Sequence, residues 1–380
     1  MKFTIAQSVL KEGLNYVQKA VSTKTTLPVL TGIFMETVTD KGLHLIGTDL
    51  DLGIEYWIDK DKLNIERSGS IVLPATQIHN IVRELPDEEI NFSLNKEKLI
   101  MTINCFNSKF KINGFDPEEF PQLPEVNKPV TIGLPGNEFK RIIKEISFSI
   151  GNNQSQPSLT GSLMLFNDNN MEMVSTNTYR LAHSLYELDD TSEETINNDE
   201  QNGAIIPGDT LNELGRVLPN SKEGEIEVLL GQNHIKFSFD NLNVISRLIE
   251  GQFPNYNQVI PDEYNTRIEV NRNKLREAVK RASLIAQLDS NEINMTIEDD
   301  ILSITSTGKE TGEAYEKVAI DKEGPDQNIK IDASYLLDVL KIIDREKINI
   351  DFIGPVSPLI IKLDKEKGKY TYLVMPIRQD

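Results

Sequence analysis

A single cysteine, Cys105, stands in 380 residues, so no disulfide can form within the chain and this thiol is expected in a core. The four histidines, His44, His79, His183 and His234, fall in separate segments without the spacing of a zinc site. No GxxxxGK[ST] loop is present, because Gly308-Lys309 is followed by Glu310 and lacks the upstream glycine; a turn is expected there. There is no GxSxG and no paired acid motif. Asp49, Asp51 and Glu55 lie together at a strand end without the further oxygen ligands of a cation loop, so they too read as a turn. No metal, cofactor or intrinsic catalysis is expected. No run approaches the roughly 20 apolar residues that span a bilayer. The opening MKFTIAQSVLKEGL has none of the parts of a secretory signal, and a cytoplasmic location is expected.

Basic charge is also scarce, with 40 Lys and Arg against 59 Asp and Glu and a net charge of −19. The sum argues against a nucleic-acid partner, but an acidic chain can still keep one basic surface, so the distribution decides. Part of the acid excess sits in ELDDTSEETINNDEQN (187–202), which has no apolar periodicity and reads as a solvated loop.

What the chain has instead is repetition. Phe120-Pro121 and Phe253-Pro254 close two similar stretches, NGFDPEEFPQLP and EGQFPNYNQVIP, 133 residues apart. The length suits two or three domains. Three segments, 72–85, 205–218 and 330–343, align without gaps as a short apolar strand followed by an amphipathic helix. Thr76, Asp209 and Ser334 share a register in which each can accept a bond from the first-turn amides. A second set of helices, 8–21, 137–150 and 273–286, precedes these, with apolar faces Leu10/Leu14/Val17, Phe139/Ile143/Ile146 and Leu275/Val279/Ala282. Segments of period-two alternation, such as LHLIGTD, MEMVSTN and LSITSTG, lie between and after the helices. Each unit reads as strand, helix, several strands, helix, several strands. The fold class is α+β: three repeated domains, each with two helices packed on antiparallel sheet.

The opposite face of the first helix is basic in every copy. Lys11, Lys140 and Arg276 share one register position, and Asn15, Lys144 and Lys280 follow one turn later. In the third copy Arg272, Lys274, Arg276, Lys280 and Arg281 stand against Glu277 alone. Lysines covering apolar surface explain any one such helix. Recurrence in an acidic chain points to a surface for phosphate.

These residues resemble a known family over the whole length, the bacterial DNA polymerase III beta subunit or sliding clamp. The matching stretches are MKFTI, TLPVLTGI (26–33), LIGTDLDLGIEY (45–56), GFDPEEFPQLP (114–124), STNTYRLA (175–182), EGQFPNY (250–256) and YLVMPIR (372–378), in family order. The resemblance implies clamp domains at 1–125, 129–256 and 262–380 and a head-to-tail homodimer. Its ring would encircle duplex DNA without sequence preference, with the helices lining the hole. It implies DNA contacts at Lys11, Lys24, Lys140, Lys144, Asn153, Arg276 and Lys280. It further implies loading by an ATP-dependent clamp loader and tethering of the replicative polymerase and repair proteins for DNA replication. Those partners would dock short linear peptides between the second and third domains. The residues carried over for that pocket are Leu159, Thr176, Thr178, Tyr179, Arg180, Leu181, Pro254, Val259, Leu373, Val374, Met375, Pro376, Ile377 and Arg378. An apolar trough with a flexible methionine and a few polar anchors suits an extended peptide. The chain departs from many relatives at Asn177 and Gln258 and runs on to Gln379-Asp380. The alternative is an acidic three-repeat scaffold that binds peptides without encircling DNA.

Overall fold

The alternation in KFTIA, with Phe3 and Ile5 inward, opens the first of three like runs of elements in the computed structural model. The described residues are 1–22, 25–127, 130–167, 169–188, 203–218, 224–287, 290–308 and 312–377. The first run is β1 (Lys2–Ala6), α1 (Gln7–Val17), β2 (Gly32–Val38), β3 (Gly42–Thr48), β4 (Leu52–Asp59), β5 (Leu63–Arg67), β6 (Gly69–Pro74), α2 (Ala75–Glu84), β7 (Glu89–Asn95), β8 (Ile100–Cys105) and β9 (Ser108–Asn113). The second is β10 (Val130–Pro135), α3 (Gly136–Ile146), β11 (Gly161–Asn167), β12 (Asn170–Thr176), β13 (Arg180–Glu187), β14 (Ala204–Pro207), α4 (Gly208–Val217), β15 (Glu225–Leu230), β16 (His234–Phe239) and β17 (Leu242–Arg247). The third is β18 (Thr266–Asn271), α5 (Arg272–Ala286), β19 (Glu292–Glu298), β20 (Ile301–Gly308), β21 (Gly312–Glu323), β22 (Gln327–Asp332), α6 (Ala333–Ile342), β23 (Lys347–Phe352), β24 (Leu359–Lys365) and β25 (Gly368–Val374). The order expected from periodicity therefore recurs three times.

The chain forms two compact units, residues 1–138 with 213–248 and residues 139–212 with 249–380, and the middle repeat gives strands to both. The first unit holds a five-stranded sheet, β5-β1-β7-β8-β9, and an eight-stranded sheet, β10-β15-β16-β17-β4-β3-β2-β6. Phe3 stacks on Phe92 with ring centroids 4.6 Å apart. Helix α1 turns Leu10, Leu14 and Val17 inward with no exposure, each such side chain contributing about 1.5–3 kcal/mol of burial. It approaches the sheet closely because Gly13 lacks a side chain; a Cβ there would lie 2.8 Å from Leu45 Cδ1. Cys105 is buried as expected, and burial, with a lesser push from Glu88, raises its thiol pKa.

The second unit is built on one twelve-stranded sheet, β14-β11-β12-β13-β25-β24-β23-β18-β21-β20-β19-β22. Helix α5 buries Leu275, Ala278, Val279, Ala282 and Ala286 and packs beside α6.

Two local expectations need correction. Thr76, Asp209 and Ser334 do not cap their helices but sit at the second helical position of α2, α4 and α6. In α6 the backbone is still extended at Asp332, whose carboxylate accepts from Ser334 N at 2.8 Å, and at α2 Pro74 holds the cap position with no side-chain bond. The first two leading helices are also shorter than expected, since Gln18–Ala20 and Ser147–Ser149 tighten into 3-10 turns.

Candidate peptide cleft and basic helix faces

A tight turn joins β12 to β13. Thr176 Oγ1 donates to the Arg180 carbonyl at 2.7 Å and accepts from Thr178 N at 3.1 Å. Asn177 Oδ1 accepts from Tyr179 N at 3.1 Å and Arg180 N at 3.0 Å. This set of bonds holds the β-branched Thr178 at φ 74, a conformation that such a residue rarely adopts. Thr178 and Tyr179 are thereby thrust into solvent, Tyr179 at 62% exposure.

The carboxy-terminal segment lies beside this turn. β25 pairs antiparallel with β13 in the register Arg180↔Val374 and Leu181↔Leu373. Beyond it Met375 N donates to the Tyr179 carbonyl at 2.8 Å, and Ile377 N to the Lys330 carbonyl at 2.7 Å. Leu181 and Leu373 share one buried apolar cluster with Leu163, Leu165, Val174, Ile205, Tyr256 and Ile360, and Met375 and Phe253 pack against it. Leu159 and Val374 are buried, Pro376 and Ile377 half-buried, Pro254 exposed, and Val259 is 44% exposed. Arg378 lies outside the described residues.

Arg180, expected at the peptide pocket, is held from within the fold. Its Nη1 donates to Asp338 Oδ2 at 2.8 Å and its Nη2 to the Phe148 carbonyl. The guanidinium lies 4.6 Å from the Tyr335 ring centroid and 5.4 Å from that of Phe148. With its charge engaged inside the fold, it braces the turn. Asp338, unmarked by any sequence motif, is its partner.

The Phe-Pro stretch is tied down by residues that the sequence also left unmarked. Tyr256 OH donates to Glu172 Oε2 at 2.9 Å, and His183 Nε2 meets the same oxygen at 2.9 Å. The hydrogen bond from His183, outweighing burial, holds the Glu172 carboxyl below the ordinary carboxylate range. A cavity of about 510 Å³ opens beneath this stretch, lined by Leu163, Ile205, Phe253, Pro254 and Tyr256 among others. The signal that was available is a matching pair in the first repeat, His44 and Glu55, 2.6 Å apart.

Lys144 and Lys280 are exposed, while Lys11, Lys140 and Arg276 are half-buried. Lys11, Lys144, Arg276 and Lys280 make no ion pair among the described residues. Two arginines of α5 do not belong to a free basic face, however. Arg281 forms a two-pronged pair with Glu316 at 2.9 and 2.7 Å, and Arg272 Nη1 donates to the Leu340 carbonyl at 3.1 Å. Asn153 is exposed, and its side-chain oxygen accepts from Ser155 N at 3.0 Å and Ser155 Oγ at 2.7 Å. Lys24 lies outside the described residues.

A threefold repeat of two helices on antiparallel sheet, with the sheets of the first and second repeats each continued by strands of the next, defines the class of three-domain DNA clamps. Sequence profiles of the DNA polymerase III beta subunit match the chain in order: the N-terminal domain at residues 1–124, the central domain at 133–255 and the C-terminal domain at 257–378. The beta sliding clamp of Staphylococcus epidermidis is 34% identical over 385 residues, covering 100% of this chain and 99% of that protein. The beta sliding clamp of Staphylococcus aureus is 33% identical over 385 residues, with the same coverage of 100% and 99%. Crystal structures of the DNA polymerase sliding clamp from Bacillus subtilis and of the DNA polymerase beta subunit from Streptococcus pyogenes superpose with TM-scores of 0.93 and 0.92, at 29% and 28% identity and full coverage of both chains. The chain belongs to the DNA polymerase III beta subunit family. Its function is that of a DNA sliding clamp, a processivity factor without catalytic activity of its own. No helix among the described residues is long and apolar enough to cross a membrane.

Proposed function

We propose that two copies of the chain close head to tail into a ring of six domains around duplex DNA, in the cytoplasm. The domains are those expected at 1–125, 129–256 and 262–380. The observation that carries this reading is a rule of strand pairing that the chain obeys twice and leaves unfinished once. β4, the third strand after the leading helix of the first repeat, pairs with β17, the last strand of the second. β13, the matching strand of the second repeat, pairs with β25, the last strand of the third. The strand left over in the third repeat is β21, whose residues 312–319 pair on one side only, with β20. The last strand left over in the first repeat is β9, which among the described residues pairs only with β8. An edge of this kind is a template for another chain. A second copy satisfies β9 and β21 at both ends at once, which closes the assembly instead of propagating it. Phe106 and Phe110, beside and within β9, and Tyr315 in β21 are exposed at 83%, 37% and 60%, as apolar residues awaiting a partner are.

In such a ring the basic helix positions, Lys11, Lys140, Lys144, Arg276 and Lys280 with Lys24 and Asn153, face the phosphate backbone and contact it without reading bases. Enclosure does the holding, so each contact can be weak enough to permit sliding. The cleft formed by Leu159, 176–181, Pro254, Val259 and 373–378 takes short extended peptides of the replicative polymerase and of repair proteins. An ATP-dependent clamp loader opens the ring. The test is retention on a nicked circular plasmid: the chain is loaded by a clamp loader, the complex isolated by gel filtration, and the plasmid then cut. Retention on the circle with release after cutting supports the ring. Equal binding to circle and line, or none to either with a loader active on another clamp, favours the open peptide scaffold.

A further inference from the structure

The turn that presents Thr178 and Tyr179 has a copy in the first unit. Thr48 Oγ1 donates to the Leu52 carbonyl at 2.9 Å and accepts from Leu50 N at 3.0 Å. Asp49 Oδ1 accepts from Asp51 N at 3.1 Å and Leu52 N at 2.8 Å, as Asn177 does in the second repeat. Leu50 is held at φ 84, like Thr178 at φ 74, and is 53% exposed. The flanking strand is copied too. β17 lies beside β4 in the register Ser246↔Leu52 and Ile245↔Gly53, and Arg247 N donates to the Asp51 carbonyl at 2.8 Å, the counterpart of Met375 N and Tyr179. The 3-10 turns Pro28–Thr31 and Pro157–Thr160 set Leu30 and Leu159 at equivalent, buried places. The backbone and hydrogen bonds of the turn and its flanking strand are thus present a second time, with Leu30 in the place of Leu159.

The side chains that line the two copies differ: Leu52, Gly53, Ser246 and Arg247 stand where the second has Arg180, Leu181, Val374 and Met375. The place of Leu181 is taken by Gly53, and the space above it is filled by another side chain: a Cβ on Gly53 would lie 2.5 Å from Leu123 Cδ2. Leu123 is the counterpart of Tyr256, three residues after the phenylalanine of each Phe-Pro pair. The Tyr256 hydroxyl is anchored to Glu172. Leucine has no such anchor, and Leu123 leans across the bare backbone of Gly53 instead.

We infer that the first unit contains a second peptide cleft that the chain closes on itself with Leu123, and that shortening this side chain admits an extended peptide led by an apolar residue. The inference rests on reading 176–181 and 373–377 as the working cleft. Asp51 and Glu125 are exposed where the second copy has Tyr179 and Gln258, and they outnumber the exposed Arg247 beside Asp51, which favours a ligand with a basic flank. Leu123 then explains why a chain with two built clefts offers one.

The probe is acetyl-Lys-Leu-Ser-Leu-Phe-amide with a photoreactive diazirine on its first leucine, applied to the full-length protein. In the wild type, labels are expected at 176–181 and 373–377 alone. Leu123→Ala should add labels at 48–53 and 245–248 and double the peptide bound per chain. Gly53→Leu in the Leu123→Ala background, which supplies the counterpart of Leu181, should keep the added labels. Leu123→Val, a smaller change to the packing, should give the same added labels at lower occupancy. Unchanged labelling in both Leu123 variants overturns the inference, and so does labelling of 48–53 in the wild type, because Leu123 is then no lid. Loss of label at 176–181 in the wild type would count against the working cleft itself, while first-unit labelling in the variants is read separately.

Discussion

The imidazole Nε2 of His44 lies 2.6 Å from the carboxylate of Glu55, and at the same register of the second repeat the pair stands reversed, Glu172 on the first strand and His183 on the next at 2.9 Å. The two repeats have kept the interaction and exchanged its ends. A bond across two strands depends on the pair being complementary and is indifferent to which strand carries the acid.

The Glu55 carboxyl titrates at about 2, held down first by the hydrogen bond with His44 and then, against burial, by Asn243. A folded-state pKa below the unfolded value means that this stabilisation is complete above the ordinary glutamate value and is lost as pH falls toward 2. Urea midpoints of the wild type should therefore decline through that acid window. Glu55→Gln should be less stable at neutral pH by about 1 kcal/mol and show a flatter acid decline. Parallel curves for the two proteins would remove Glu55 as the cause.

Arg180→Ala should destabilise the fold by about 1–3 kcal/mol, because Asp338 and the Phe148 carbonyl lose their donor. Peptide affinity should fall on the order of tenfold, since the turn that presents Tyr179 loses its brace. Isothermal titration beside denaturant unfolding checks both. Wild-type affinity in a destabilised variant would show that the brace serves the fold alone.

Charge reversal at Arg276 and Lys280 should weaken retention on DNA and leave the peptide cleft untouched. The slope of log retention against log salt should become shallower by roughly 2, about one for each lost phosphate contact. Met375→Ala with Leu181→Ala should do the opposite, impairing peptide binding with DNA retention intact. Equal loss of both activities in either pair would mean that the two surfaces are not separate.

Phe110→Glu places a charge on the free edge of β9. Sedimentation at micromolar concentration should show a dimer for the wild type and a monomer for the variant, with unchanged circular dichroism. A dimeric variant would locate the subunit contact elsewhere.

The three repeats were legible because an amphipathic helix announces itself within a dozen residues and the Phe-Pro stretch does so in two. The sheets that join one repeat to the next were not. The partner of Tyr56 in β4 is Leu242 in β17, and nothing in either strand's own alternation names the other. The site divides in the same way. Leu181 and Met375 could be placed by motif, but the partner of Arg180 is 158 residues distant and the partner of Arg281 is 35. A basic residue in a sequence is therefore a candidate for a surface until its acid is located, and two of the five on α5 proved to be engaged at home.

The pairing of β13 with β25 also has a mechanical meaning. A partner held at 373–377, as proposed above, would pull on the end of a strand whose ladder with β13 runs from Val374↔Arg180 to Lys369↔Leu185. Tension along that strand loads the whole ladder at once in shear, whereas a pull across it would part the bonds one after another. A tether anchored here, as in the function proposed above, would be strongest along the strand axis.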